Sequence, residues 1–244
     1  MLVQAFALST ALGVALLPVP AQPAPEGGPE RIAAVPGAGG GARAGGGAAE
    51  PVTAAALLAR VAGCAQISRG LYRTDLASAA TVPVCDAGDA VFWKADLDID
   101  CDGRPTARCN SATDPYFLPH TAFGGSDGQP LNAETLPFVV VPAPSPLWRF
   151  PEWGIGGGSV VAVVHGDIVR FGVVGDTGPA RTIGEASYAM AEALGIDSDP
   201  RTGGADAGVT YILFKNARVA PIDSHAAAVA RGEELARSFL TARG

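Results

Sequence analysis

Two acidic residues nine positions apart, Asp176 and Glu185, carry the strongest chemical signal in this sequence. Asp176 lies in Gly175-Asp176-Thr177-Gly178-Pro179, a Gly-flanked turn that follows a Val-rich stretch; Glu185 lies in Ile183-Gly184-Glu185-Ala186-Ser187, at the start of a helical pattern. Separate rigid supports let one carboxyl hold a proton while the other stays ionised, and such a division is what acid–base hydrolysis needs. A Glu in a first helical turn feels the positive end of the helix dipole, which favours ionisation. The expected roles are therefore Asp176 as acid and Glu185 as base. Each residue also has a plain explanation, an Asx turn for Asp176 and a helix-start acid for Glu185.

A second acidic group lies upstream. Asp98-x-Asp100-x-Asp102-Gly103 matches the first half of a calcium loop, with oxygens at alternate positions and Gly at the sixth, but the twelfth position holds Cys109 where a Glu would close the shell. Asp96, Asp98 and Asp100 also alternate with Ala95, Leu97 and Ile99, so on a strand the acids share one face and the apolar residues bury. Beside Trp93, that row suits a cationic ligand with a ring to stack. The expected site is thus Asp176 and Glu185 for chemistry, Trp93, Asp98 and Asp100 for binding, and no metal. Trp148, Phe150 and Trp153 read as either an aromatic rim or a core plug, and His165 as an exposed turn residue.

The elements that must position these groups are mostly strands. Short apolar runs at 91–93 and 138–141, a hairpin of 159–164 and 168–174 about His165-Gly166-Asp167, and a run at 209–214 all fit strands. Helices are predicted at 51–63, at 183–194 from the spacing of Ile183, Ala186, Met190 and Leu194, and along the Ala- and Arg-rich tail at 224–243. Strands without βαβ alternation predict a mainly β (α+β) domain, a β-barrel or sandwich with peripheral helices.

Residues 1–24 read as an export leader, an uncharged apolar run broken by PVPAQPAP, although a positive start is missing. Residues 25–49, rich in Gly, Ala and Pro, read as a linker, which leaves 50–244 as the folded domain. Four cysteines, Cys64, Cys85, Cys101 and Cys109, suit two disulfides; of three pairings the short turn-rich loop favours Cys101 with Cys109, and no Cys-x-x-Cys pair supports zinc. The charge of −7 argues against nucleic-acid and anionic-membrane partners and suits a cationic one.

The run Val173 to Pro179, then Ile183 to Ser187 and Ala193-Leu194-Gly195-Ile196, resembles the core signature of the endo-chitosanases of glycoside hydrolase family 75. The resemblance extends to Phe92 through Gly103, to Asp114-Pro115-Tyr116-Phe117 and to Gly208-Val209-Thr210-Tyr211-Ile212. It implies an inverting hydrolase of chitosan with Asp176 and Glu185 as its catalytic pair; with the leader and cysteines, the expectation is a secreted monomer that needs no cofactor. The residues fit that chemistry, since glycosidic cleavage pairs a carboxylic acid with a water-activating carboxylate. In this reading the acidic row meets glucosamine ammonium groups. The strand, Gly-Asp-x-Gly-Pro turn and following helix also resemble, more loosely, double-psi β-barrels, which keeps open a non-catalytic module that only grips wall polysaccharide. Asp176-Thr177-Gly178 is similar to the aspartic-protease motif, but one copy followed by Pro179 fits that chemistry poorly.

Overall fold

The computed structural model describes residues 51–242. The expected leader at 1–24, the linker at 25–49 and the end of the tail helix at Arg243 lie outside the described residues. Helix α1 (Ala54–Arg60) begins where the Thr53 hydroxyl accepts the Ala56 N–H at 3.2 Å, so Pro51 stays outside it. The strands are β1 (Ala65–Gln66), β2 (Cys85–Asp86), β3 (Ala90–Asp100), β4 (Phe138–Pro142), β5 (Ser159–His165), β6 (Ile168–Gly178), β7 (Glu185–Ser187) and β8 (Ala205–Arg218). Helix α2 (Tyr188–Ala193) follows β7, and α3 (His225–Thr241) closes the described chain. Among the described residues no helix is long and apolar enough to cross a membrane.

Six strands close on themselves in the order β3, β7, β4, β6, β5 and β8, with β8 returning to β3. The pairs β3–β7 and β4–β6 are parallel and the other four are antiparallel. The mainly β barrel expected from the sequence is therefore present. β5 and β6 form the expected hairpin, with His165 opposite Ile168 across Gly166-Asp167; Gly166 takes the positive φ of 58° that such a tight turn requires.

Alternation sorts the side chains into an interior and two outer faces. Trp93 and Leu97 of β3, Val139 and Val141 of β4, Val174 of β6, Ala186 of β7 and Tyr211 of β8 belong to one buried cluster, to which every barrel strand contributes. Trp93 stacks on Tyr211 at 5.3 Å and meets Trp148 edge-on at 6.2 Å. Trp148 and Phe150 are buried here, so the downstream aromatic group is a core plug. One outer face, carrying Phe92, Val164 and Phe214, is covered by α1 and α3. The other, carrying Phe138, Val140 and Val173, is covered by the segment after β3 and by Tyr188 of α2.

The disulfides are Cys64–Cys85 and the expected Cys101–Cys109, which ties the chain leaving β3 into a short loop. The helix predicted over 183–194 is shorter than its apolar spacing suggests. Glu185, Ala186 and Ser187 pair with β3, and the helix starts only after Ser187, whose hydroxyl accepts the Met190 N–H at 3.2 Å. Gly184, at φ 120°, cannot continue a helix backwards. Ala186 satisfies the helical period and points into the barrel equally well, so the spacing alone could not decide between them.

Candidate active site

Asp176 reaches its position through a bulge. Val139 lies opposite Val174 and Val140 opposite Asp176, so Gly175 is the extra residue on β6. Without it, a period of two would send Asp176 inward beside Val174; with it, Asp176 shares the outer face with Val140 and Val173. Gly is required there, because a Cβ at 175 would lie 2.5 Å from the Phe138 ring. The same face receives Glu185, since its neighbour Ala186 points inward, and Glu185 sits opposite Asp98 in the parallel β3–β7 register. Asp176 and Glu185 thus lie on the two strands that flank β4 and converge on Val140: Asp176 pairs with it on one side, and on the other Glu185 precedes Ala186, which pairs antiparallel with Val139.

A loop from the disulfide to residue 123 covers Asp176 and is wired to the acids. Asp176 Oδ1 accepts the N–H of Ala122 at 2.6 Å and of Thr177 at 2.7 Å. Asp102 Oδ1 accepts the Leu118 N–H at 2.6 Å, and Asp100 Oδ1 accepts the Asp102 N–H at 2.7 Å. Buried Asp114 holds the loop's turn through the Tyr116 N–H at 2.8 Å, and Tyr116 is the loop's exposed aromatic.

Glu185 is held differently. No hydrogen bond from the described residues reaches its carboxyl, and its Oε2 lies 2.7 Å from where a Cβ on Gly178 would be. It is partly accessible yet enclosed by protein, and burial, reinforced by the like charges of Asp98, Asp102 and Asp176, raises its pKa to about 7. Burial also raises Asp176, while the Ala122 and Thr177 N–H groups and nearby His120 pull it back. Asp102 is raised to about 6, first by burial, and Asp100 is raised well above its ordinary value by burial and then by Asp102 and Asp176.

Asp100, Asp102 and Asp176 each place one carboxylate oxygen within 4.8 Å of the others. Three carboxylates so close cannot all be ionised without a counter-charge, so the group holds a proton or recruits a cation. Three oxygens fall short of the six to eight that calcium takes, and each residue already spends an oxygen on a backbone N–H. Nor is Asp98 to Asp102 a calcium loop of the helix-flanked kind, because β3 runs through Asp100.

Of the residues singled out in the sequence, Asp176, Glu185, Asp98 and Asp100 meet on one face, with Asp98 exposed at its edge. Trp93 does not: it is 0% exposed inside the barrel, so it has no free face for a sugar, and its expected binding role is withdrawn. Alternation gave its side of the strand correctly as apolar, but the acids occupy the opposite side. Residues missed are Asp102, signalled by the unbroken alternation of acids from Asp96, and Asp75 and Asp206, whose charges act on Asp98 across the fold without a sequence signal.

Residues 97–242 match the family described as fungal chitosanase of glycosyl hydrolase group 75. The chain belongs to that family. It is 32% identical to an endo-chitosanase B of Aspergillus oryzae over 133 residues, covering 51% of this chain and 55% of that protein. It is 30% identical to an endo-chitosanase of Aspergillus fumigatus over 141 residues, covering 52% and 58%. An endo-chitosanase C of Aspergillus oryzae is 31% identical over 137 residues, covering 52% and 32%. The chain therefore spans about half the length of the first two of these relatives and less of the third. The group 75 match takes in the bulge at Gly175, the whole of β7 and the covering loop.

Proposed function

We propose that this chain is a secreted, endo-acting chitosan hydrolase that inverts at the anomeric carbon, with Glu185 as general acid and Asp176 as general base. The observation that carries the roles is the contrast in hydrogen bonding. Asp176 has two backbone N–H donors that favour its ionised form, while Glu185 has burial and like charges that favour its protonated form. This assignment reverses the roles expected from the sequence, since Glu185 stands on a strand, ahead of the first turn of α2. An enclosed carboxyl that keeps its proton to near neutrality can protonate a leaving oxygen, and an ionised one can take a proton from water.

The supports of the pair stand two residues apart along β6, an arrangement suited to single displacement. Glu185 Oε2 packs on Gly178, two residues beyond Asp176 on β6, and two strand residues span roughly 6.6 Å. Inverting pairs stand about 6.5 to 9.5 Å apart, which leaves room for a water. The substrate follows from charge: Asp98 at the edge of the face, with Asp75 and Asp206 acting on it, forms an acidic row suited to the ammonium groups of deacetylated sugar units. The relatives' names specify chitosan and endo action. Two disulfides and the leader-like start support export.

The test is a proton NMR time course on soluble chitosan and on chitin with the purified protein. Reducing ends should appear first as the α-anomer and faster from chitosan. A β-anomer appearing first would reject inversion, faster release from chitin would reject the substrate, and co-sedimentation without release would leave a binding module.

A further inference from the structure

Ser187 ends β7 two residues beyond Glu185 and is fully buried. Its hydroxyl serves three partners: it donates to the Leu136 carbonyl at 2.8 Å and accepts the N–H groups of Phe138 at 2.9 Å and Met190 at 3.2 Å. The last of these bonds caps α2. The other two reach a different element, the chain entering β4, on either side of Pro137. Pro137 has no N–H of its own, but its carbonyl accepts the Val173 N–H of β6 at 3.3 Å. Residues 136–138 are therefore tied to β7 on one side and to β6 on the other.

That span is the one the two acids must bridge, since Glu185 stands on β7 and Asp176 on β6 with β4 between them. β6 is held to β4 along its length, from Phe138 opposite Val173 to Pro142 opposite Gly178. β7 has a single register pair with β4, Ala186 opposite Val139. Its longer pairing, from Glu185 to Ser187, is with β3. One further bond lies beyond the strand, from the Ala189 N–H of α2 to the Ala133 carbonyl at 2.9 Å. Without the hydroxyl, β7 keeps its pairing with β3, while its seam with β4 is left with buried backbone groups that lack partners and favour opening to water.

We propose that Ser187 is a positioning residue for the candidate pair: its hydroxyl closes the seam between β7 and β4 and so sets the separation of the Glu185 and Asp176 carboxyls. This rests on the reading of those two residues as acid and base, for which a displacement of about 1 Å is worth on the order of a hundredfold in rate. Asp98, the proposed contact for substrate charge, stands on β3 and does not cross the seam. The loss should therefore fall on kcat and spare KM.

Ser187→Ala, compared with the wild-type protein by crystallography, amide hydrogen exchange and chitosan kinetics, is the test. The variant should show an altered separation of the Glu185 and Asp176 carboxyls. Exchange should quicken at Phe138 and along the seam, with the pairing of β7 to β3 still protected. Its kcat should fall about tenfold or more, with KM within about twofold of wild type. A hydroxyl that merely caps α2 would speed exchange at Met190 and lower the melting temperature but leave kcat and the carboxyl separation unchanged, and that result overturns the proposal. Phe239→Ala, on the opposite outer face, controls for lost stability: an equal fall in kcat in both variants, each measured well below its melting range, also overturns it. If Ser187→Ala does not fold, the wild-type protein still decides, because the Phe138 amide should be protected as strongly as the barrel strands, and ready exchange there rejects the lock. If the wild-type protein releases no reducing ends, the hydrolase reading fails, while the variant's structure and exchange still decide what holds the two carboxyls at their separation.

Discussion

The two outer faces of this barrel are built by the same alternation and end in opposite physics. The face under α1 and α3 closes with Phe92, Val164, Phe214 and Phe239, and Phe239 meets Phe214 edge-on at 6.0 Å. The face under the 101–123 loop carries Asp100, Asp102, Asp176 and Glu185, four acids whose pKa burial raises, with like charges adding to it at Asp100, Asp102 and Glu185. Helices can cover a surface completely, because their own backbone groups are paired internally. A loop has N–H groups to spare, and here it spends those of Leu118 and Ala122 on the acids beneath it. The helix-covered face holds the barrel together, and the loop-covered face gives up stability to keep acids under cover, as the proposed chemistry requires.

The largest effects should separate the faces cleanly. Asp176→Asn and Glu185→Gln each change little volume and remove the proposed proton-transfer role, so kcat should fall by about a thousandfold or more with the melting temperature held or raised. Phe239→Ala should do the reverse, costing about 3–5 kcal/mol of stability while kcat below the new melting range stays near wild type. Chitosan hydrolysis and thermal unfolding measured on the three variants test the division. A catalytic variant that keeps near-normal turnover, or a Phe239 variant that loses turnover without losing stability, breaks it.

How legible this was in the sequence follows the same line. The strands of the closed barrel showed in runs such as Phe138 to Val141, and the hairpin in Gly166-Asp167, because both signals are local. Asp176 and Glu185 stood out by residue type and spacing. Their supports did not: Ile183, Ala186, Met190 and Leu194 fit a helix, and only pairing with β3 turns Glu185 into a strand residue. Trp93 sat next to acids in the chain, yet period two places it on the far side of the strand, against Tyr211. The N–H of Ala122 lies 54 residues from Asp176, and no spacing rule reaches that far.

The disulfides sharpen the comparison at an intermediate scale. Cys101–Cys109 spans a separation of 8 and anchors the acid-covering loop, whereas Cys64–Cys85 spans 21 and joins the chain after α1 to β2. Chain entropy assigns each link about 2–4 kcal/mol, with little between them. Replacing both cysteines of a pair by Ala should therefore lower stability comparably in the two cases. Turnover should suffer severalfold more without Cys101–Cys109, because Leu118 and Ala122 must stay in place to hold Asp102 and Asp176. Equal loss of turnover from the two pairs would mean that the loop is positioned without its disulfide.

The smallest effect is the dependence of stability on pH. Glu185 moves from an ordinary 4.5 to about 7 on folding, Asp96 from 3.8 to about 7, and Asp102 from 3.8 to about 6. A carboxyl raised by folding makes the folded protein bind more protons than the unfolded chain between its two values, so stability falls as pH rises through that window. Exposed Asp127, Asp199 and Asp223 are shifted the other way, chiefly by hydrogen bonds, and their contribution is lost only as pH falls below the ordinary carboxylate range. The melting temperature should thus peak near pH 4 to 5 and decline towards pH 8, the decline belonging to the loop-covered face and its buried neighbour. Asp96→Asn should flatten that decline, since an amide carries no charge to bury. A melting temperature that rises steadily from pH 5 to pH 8 would show that the acids on this face are ionised at little cost, and the contrast between the two faces would reduce to shape alone.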